Sequence, residues 1–227
     1  MTSVNAAVVH TVLDAGGGGE GLLRRRVEVP AAGRFEGAAG PGGELWFVID
    51  GTARLESPAR PAALVRYDTG VWLPPGARYR LHAEGPGTLT LDSVLLPAAA
   101  PHQPEPAELQ LAALRDCAVE VTGDREFRVL LGPGHGCSAA TQFVGEIPPG
   151  RAPEHTHTYD EVVLVLAGEG VLHAGAADHP LAAGSCVHLR PGQPHCLENT
   201  GRGTLRVLGV FHPGGSPASK QERPPPA

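Results

Sequence analysis

The stretch PGRAPEHTHTYDEVVLVLAGEG, residues 149–170, places two histidines and a glutamate in front of an apolar run that ends at a glycine. The apolar run has the composition of a buried β-strand. In an extended chain, side chains two residues apart point to the same face, and His155, His157 and Glu161 share this parity. Neutral imidazoles and a carboxylate are a common ligand set for divalent transition metals. The stretch therefore predicts a metal site inside a β-structure, with these three residues as ligands.

A second stretch, GSCVHLRPGQPHCLEN at residues 184–199, is expected to supply the fourth ligand. Pro191 and Gly192 are typical of a tight turn, and His195 follows at the start of the next predicted strand. The alternative is that these histidines lie on a polar surface loop. That alternative suits a lone histidine better than three histidines and a glutamate that lead into apolar strands. We therefore predict one divalent transition metal ion, which could be Fe, Mn, Ni, Co, Cu or Zn, because the ligand types do not select among these.

Composition indicates a folded, all-β protein. The chain has 227 residues, 41% of them hydrophobic, which is typical of a globular protein. Its 31 glycines and 23 prolines are spread along the sequence and separate short apolar runs, a pattern that favours many strands joined by turns. The one segment that could form a helix, PAELQLAALRD at residues 106–116, could equally form a strand.

Charge and apolar content also exclude some partners and locations. A net charge of −6 and an aromatic content of 4% leave no broad basic or stacking surface, so we expect no nucleic-acid partner. No apolar run approaches the roughly 20 residues that a membrane-spanning helix needs, and no signal peptide is recognised. The four cysteines have no C-x-x-C spacing. We therefore expect a cytoplasmic protein with reduced, mostly buried thiols rather than a structural disulfide.

The two halves of the sequence repeat each other. Glu44 precedes a mostly apolar run that ends at Gly51, as Glu161 precedes one that ends at Gly168. WLPPGARY from Trp72 matches HLRPGQPH from His188 at nearly the same offset. A duplicated barrel explains both matches. We predict a first barrel over residues 1–96, a linker over 97–108, a second barrel over 109–212 and a flexible tail over 213–227.

These motifs resemble those of the cupins. The first cupin motif is matched by Gly150, His155, His157, Glu161 and Gly168, and the second by Gly184, Gly192, His195 and Asn199. There are two departures: four rather than five residues separate Gly150 from His155, and Arg190 replaces a proline. The resemblance covers both halves and implies a bicupin, with two double-stranded β-helix (jelly-roll) barrels in one chain. Bicupins of this size resemble a cupin dimer folded within one chain, so a monomer and a homodimer are both compatible with the sequence.

The first half resembles a cupin that has lost its metal. The repeat places Ala38 and Gly40 where the second half has His155 and His157, and Tyr79 where it has His195; only Glu44 remains. One carboxylate cannot hold a transition metal against water, so we expect a structural or dimer-forming barrel. In the alternative, Glu44, Tyr79 and Arg78 line a pocket for a small ligand. Trp46 and Trp72 are expected in the core.

Several residues near the predicted metal could assist it. Tyr159 has the parity of the ligands and could contact them or cover the barrel mouth. Arg151, and less so Arg128, could orient an anionic substrate, although both could be ordinary surface arginines. His173 and His188 could face the interior beside the ligands or be satisfied core histidines.

Three hypotheses for function follow, each with a small molecule as the partner. The first, which we favour, is a dioxygenase-type oxidoreductase that resembles quercetin-dioxygenase-like cupins, with Glu161 as ligand and catalytic base. The second is a non-redox isomerase, lyase, decarboxylase or hydrolase that uses the metal as a Lewis acid. The third is a non-catalytic cupin that binds a small ligand. Fold and ligand set do not by themselves select the chemistry.

Overall fold

The computed structural model describes residues 6–15, 21–58, 60–98, 108–175 and 177–218. The described chain consists of strands, two short 3₁₀ turns and loops. It divides into two compact units; the first runs to Asp116 and also includes Gly134–Ala139, and the second comprises Cys117–Pro133 and the chain from Ala140 onward. The expected all-β fold is confirmed.

The first unit is a barrel of two antiparallel sheets. Its six-stranded sheet has the order β1-β2-β9-β4-β7-β10, and its four-stranded sheet has the order β3-β8-β5-β6. The strands are β1 (Val8–Asp14), β2 (Leu23–Val29), β3 (Arg34–Ala38), β4 (Glu44–Asp50), β5 (Thr52–Ser57), β6 (Arg60–Arg66), β7 (Thr69–Leu73), β8 (Arg78–Glu84), β9 (Leu89–Leu95) and β10 (Gln110–Ala113).

The second unit is built in the same way. Its six-stranded sheet has the order β11-β12-β13-β20-β15-β18, and its four-stranded sheet has the order β14-β19-β16-β17. The strands are β11 (Glu120–Thr122), β12 (Arg125–Leu131), β13 (Thr141–Ile147), β14 (Gly150–Arg151), β15 (Asp160–Ala167), β16 (Glu169–Ala174), β17 (Ala177–Ala182), β18 (Cys186–Leu189), β19 (His195–Asn199) and β20 (Leu205–His212).

The duplication seen in the sequence is a duplication of topology. The order β1-β2-β9-β4-β7 of the first unit corresponds to β12-β13-β20-β15-β18 of the second, and the four-stranded sheets correspond strand for strand. Gly51 and Gly168, the glycines that end the repeated apolar runs, have φ angles of 86° and 90°. A side chain is strained at such angles, so the hairpin after each apolar strand requires glycine.

Strand alternation places one apolar face of each sheet inside its barrel. In β8, residues of one parity are buried and those of the other are exposed or half-buried, so the strand separates core from solvent. Trp46 and Trp72 are 1% and 0% exposed, which confirms that both belong to the core. The second barrel has an aliphatic cluster around Val163 and Leu205 and an aromatic cluster around Phe143 and Phe211.

Predictions for the connecting segments had mixed outcomes. The segment that could be helix or strand forms β10 and then a 3₁₀ turn over Leu114–Asp116. Most of the predicted linker, residues 99–107, lies outside the described residues, as does the tail from residue 219. The described start of the tail is bonded to the second barrel: the Thr141 hydroxyl donates to the Gly215 carbonyl at 2.7 Å, and the Tyr159 hydroxyl donates to that of Ser216 at 3.1 Å. All four cysteines are free thiols, as expected, although only two of them are buried.

Candidate metal centre

Three histidines of the second barrel converge in its interior. His155 pairs with His195, the first residue of β19, through two reciprocal backbone hydrogen bonds of 3.0 Å. His157 follows in the loop that leads to β15, and it is buried, as is His195. One ring nitrogen of each histidine lies within 4.8 Å of those of the other two. Two nitrogens that bind one ion at about 2.1 Å lie up to about 4 Å apart, so small side-chain shifts would let these three hold a metal.

The turn in the second motif positions His157. Gly192 has a φ of 73°, which favours glycine, and its backbone N–H donates to the carbonyl oxygen of His157 at 2.7 Å. Asn199, the last residue of that motif, is buried and donates through Nδ2 to the carbonyl oxygens of Ile147 and Gly203 at 2.8 and 2.7 Å. The hydrogen bonds of Gly192 and Asn199 therefore fix the backbone around the site.

Backbone carbonyls orient two of the imidazole rings. Nδ1 of His195 lies 2.8 Å from the carbonyl oxygen of Gln193, and Nδ1 of His155 lies 3.2 Å from that of Pro153. A proton on Nδ1 that donates to such a carbonyl leaves Nε2 as the free electron-pair donor. The ring of His157 stacks on that of Tyr159 at a centroid distance of 4.8 Å and an angle of 13°. Tyr159 thus contacts a predicted ligand, which was one of its two predicted roles.

Glu161 completes the cluster. The second residue of β15, it is 7% exposed. Its Oε2 lies 3.4 Å from Nε2 of His157 and 3.6 Å from Nε2 of His195. The four residues predicted from the sequence are therefore together, and the carboxylate faces two of the three histidines.

Burial affects the protonation of these groups. Burial, followed by the two neighbouring imidazoles, lowers the pKa of His157 to about 3. His157 is therefore neutral at physiological pH, the form that binds a metal. Burial also lowers the pKa of His195, but the hydrogen bonds to Glu161 and to the Gln193 carbonyl outweigh it, and the net shift is upward.

The cluster lines a small cavity. Its volume is about 80 Å³, far below the roughly 300–1,000 Å³ of pockets for drug-sized ligands. The walls are mainly apolar and include Phe127, Phe143, Ile147, Leu189, Val207 and Phe211. Pro217, from the start of the predicted tail, also lines it. A molecule held here against the histidines has only a few non-hydrogen atoms.

The other candidates from the sequence do not line this cavity. Arg128 contacts Glu146 at 3.5 Å, and Arg151 donates to the Cys196 sulfur at 3.4 Å. His173 bonds to Asp178 and Glu198, and His188 bonds to Asp160 at 2.6 Å. Each of these side chains has a carboxylate or thiol partner outside the cavity. These partners agree with the alternatives that the sequence left open, namely ordinary surface arginines and histidines satisfied by hydrogen bonds.

The sequence reasoning missed Arg125 and Thr122, which do line the cavity. Both belong to the β11–β12 hairpin, where they are paired in register. Neither lies in a recognised motif. One signal was available: Arg125 has the same strand parity as Phe127 on β12, so its charge lies on the strand face that carries a buried aromatic residue.

The first barrel holds a different cluster at the corresponding place. Glu44 Oε1 accepts hydrogen bonds from Arg25, Trp46 and Ser93 at 2.8, 2.6 and 2.5 Å. Tyr79 packs edge-on against Trp46 at a centroid distance of 4.6 Å, and burial raises its pKa. In this barrel a guanidinium therefore provides the positive charge next to the glutamate. Of the predicted pocket, Tyr79 and Arg78 do line an open groove of about 780 Å³, but Glu44 does not, since it is buried among its three donors.

Comparison with known proteins agrees with the architecture. Residues 143–211 match the family model described as a cupin domain. A 68-residue segment is 37% identical to an oxalate-binding protein from Thermotoga maritima; the match covers 29% of this chain and 56% of that protein. The sequence likeness to a cupin domain therefore lies within the second barrel, and the curated relative is matched over about half its length.

Solved structures extend the likeness to both barrels. A protein from Pseudomonas aeruginosa described as glyoxylate-induced superposes with a TM-score of 0.76 at 19% identity, over 90% of this chain and 79% of that one. Oxalate decarboxylase from Bacillus subtilis superposes with a TM-score of 0.73 at 13% identity, over 92% of this chain and 72% of that one. The chain therefore has the fold of two cupin barrels, which confirms the predicted fold. Nothing in these comparisons singles out the quercetin-dioxygenase-like group.

Proposed function

We propose that the second barrel binds one divalent transition metal through His155, His157, Glu161 and His195. We further propose that the protein is a metal-dependent enzyme for a small oxygen-bearing organic acid. The convergence of three imidazoles and a carboxylate in one small cavity carries this proposal. Fe, Mn, Ni, Co, Cu and Zn all accept such donors.

The residues around the site suit this role. A bound ion would supply a Lewis acid of net charge about +1 that attracts an anionic oxygen. The carbonyls of Pro153 and Gln193 hold two rings in the donor tautomer, and Tyr159 fixes the plane of His157. Glu161 is the only carboxylate among the four proposed ligands, so we assign it a second role as the base that accepts a substrate proton. The walls around these groups are mainly apolar.

The size of the cavity and the names of similar proteins support a small acid as the substrate. A cavity of about 80 Å³ suits a molecule of a few non-hydrogen atoms. The Thermotoga relative is described as oxalate-binding, and the Bacillus structure is an oxalate decarboxylase. Oxalate is therefore the first probe to use.

The metal content of the protein tests the proposal directly. We expect one transition metal per chain by elemental analysis of protein purified without added metal, or after titration with Mn(II) or Co(II). Two metals per chain would mean that the first barrel also binds one. No retained metal and no uptake on titration would contradict the proposal.

The chemistry that follows binding separates the three hypotheses. A dioxygenase consumes oxygen with Fe(II), Mn(II) or Ni(II) on a panel of enols, phenols and small acids. Turnover that persists in anaerobic buffer would exclude this hypothesis and favour Lewis-acid chemistry. Ligand binding without turnover under either condition would favour the non-catalytic hypothesis.

Substituting Glu161 by glutamine tests its two roles. Glu161→Gln keeps the shape of the side chain and removes its charge, so we expect metal affinity to fall at least about tenfold, with loss of turnover. Glu198→Gln is the matched control, because Glu198 pairs with His173 and does not line the cavity. Chelator competition measures the affinity. Unchanged affinity in Glu161→Gln would show that this residue is not a ligand.

The cellular location and the oligomeric state of the protein remain predictions. The described residues contain no helix long and apolar enough to cross a membrane. A cytoplasmic location and a choice between monomer and homodimer are expectations that fractionation and sedimentation would test.

A further inference from the structure

The cavity lined by the three histidines and Glu161 also has Arg125 and Thr122 in its wall. These residues face each other across the β11–β12 hairpin, and both line the cavity. Arg125 has the same strand parity as Phe127, which is 4% exposed, so its side chain follows the inward face of β12. Both residues lie outside the segment that matches the cupin domain, residues 143–211.

The guanidinium of Arg125 is poorly neutralised by the protein. Its side chain is 15% exposed, and its ionic contact, from Nε to Asp124 Oδ1, is long at 3.8 Å, with Asp124 itself 74% exposed. Burial lowers the pKa of Arg125, with Asp124 acting in the opposite direction, and the group remains charged. Within the described part of the chain, no acceptor forms a hydrogen bond with the guanidinium of Arg125. A sheltered cation without an acceptor is costly unless a ligand supplies one.

Two carboxylates also line the cavity, and within the described residues neither is paired with Arg125. Glu161 contacts His157 and His195 instead. Glu126 also lines the cavity, but it is exposed and has the opposite parity on β12. Arg128, three residues further along β12 and of the opposite parity, does not line the cavity and contacts Glu146. The cavity therefore combines one unmatched guanidinium, a threonine hydroxyl and the metal centre within apolar walls.

We propose that Arg125 binds a carboxylate of the substrate while another oxygen of the same molecule lies at the histidine cluster. The inference rests on the proposed function and narrows it. The substrate class is a short dicarboxylate or a 2-oxo or 2-hydroxy acid, because such molecules carry two oxygen-bearing ends within a few atoms. The planar fork of arginine matches a carboxylate in two parallel hydrogen bonds, and the hydroxyl of Thr122 can donate a third.

Ligand binding to the metal-loaded protein tests Arg125. The ligands are oxalate, malonate and glyoxylate, with oxamide as a neutral analogue of oxalate, and the proteins are wild type, Arg125→Gln, Arg125→Lys and Arg128→Gln. We expect Arg125→Gln to weaken binding of the acids about 10- to 100-fold and to leave metal stoichiometry and oxamide binding unchanged. Arg125→Lys should fall between Arg125→Gln and wild type, since it keeps the charge but loses the fork. Arg128→Gln should bind as wild type within about twofold.

The outcomes separate this inference from the proposed function. If wild type takes up metal and Arg125→Gln binds the acids as tightly as wild type, the role of Arg125 is wrong and the metal site stands. If the metal-loaded wild type binds none of the acids, the assigned substrate class is likewise wrong. If wild type takes up no metal, the proposed function fails and this inference fails with it.

Discussion

Replacing His157 by alanine should abolish stoichiometric metal binding. His157 is 5% exposed, and its ring lies within 5.3 Å of those of both His155 and His195, measured between centroids. Loss of a residue that only supports a ligand typically costs 10- to 100-fold in metal affinity, so loss of a central ligand should cost more than about 100-fold. Elemental analysis of the purified variant and titration with Mn(II) measure the effect.

A second readout distinguishes metal loss from misfolding. A ligand present at 100 times its dissociation constant stabilises a protein by about 2.7 kcal/mol, so metal should raise the melting temperature of wild type. His157→Ala should melt cooperatively and show no such rise. His188→Ala is the matched control, because His188 belongs to the same barrel but bonds to Asp160 outside the cavity. Full metal occupancy in His157→Ala would contradict the assignment of His157 as a ligand.

The sequence identified the members of the site but not how they meet. The parity argument assumed one extended strand through His155, His157 and Glu161. In the structure, His155 makes an isolated bridge to His195, and regular pairing resumes only at Asp160. Pro153 has no N–H for a ladder, which helps to explain why the strand is broken there. Convergence comes from the two sheets of the barrel, since His195 begins a strand of one and Glu161 lies in a strand of the other.

The duplication was predictable because the sequence contains repeated motifs. Turn glycines and apolar runs must recur wherever a hairpin and a buried strand recur, and they do so at nearly constant offset. The presence of Arg125 in the cavity wall was not predictable from such repeats. Its place in the cavity depends on how β12 pairs with β13 and which face of β12 turns inward, and these are properties of the assembled sheet.

The surroundings of Glu44 were likewise only partly predictable from the sequence. The repeat identified this glutamate as the remnant of a ligand set, but not the groups that now neutralise it. Arg25 and Ser93 come from β2 and β9, which are neighbours in the sheet although far apart in the sequence. Buried charges in this barrel are therefore balanced by residues on adjacent strands, and a second such pair provides a stability test.

That pair joins Arg24 and Asp92, and breaking it should strongly destabilise the first barrel. Arg24 Nε donates to Asp92 Oδ1 at 2.7 Å and Nη2 donates to Oδ2 at 3.0 Å, with side chains that are 0% and 3% exposed. Arg24→Met removes one partner and leaves a buried carboxylate without its counter-charge, which typically costs about 3–5 kcal/mol. For a unit of this size we expect the melting temperature to fall by on the order of 10 °C or more.

Two comparison variants show whether the loss of stability in Arg24→Met arises from the burial of its partner's charge. Arg26→Met breaks an exposed pair, since Arg26 lies 3.6 Å from Glu28 with both side chains more than 40% exposed, and such pairs contribute about 0–1 kcal/mol. The double substitution Arg24→Met with Asp92→Leu removes both charges and should recover part of the lost stability, because the desolvation cost of the lone carboxylate disappears. Calorimetric melting of the four proteins provides the test. If Arg24→Met melts with wild type, or if the double variant is no more stable than Arg24→Met, the Arg24–Asp92 pair does not stabilise the barrel through its buried charges.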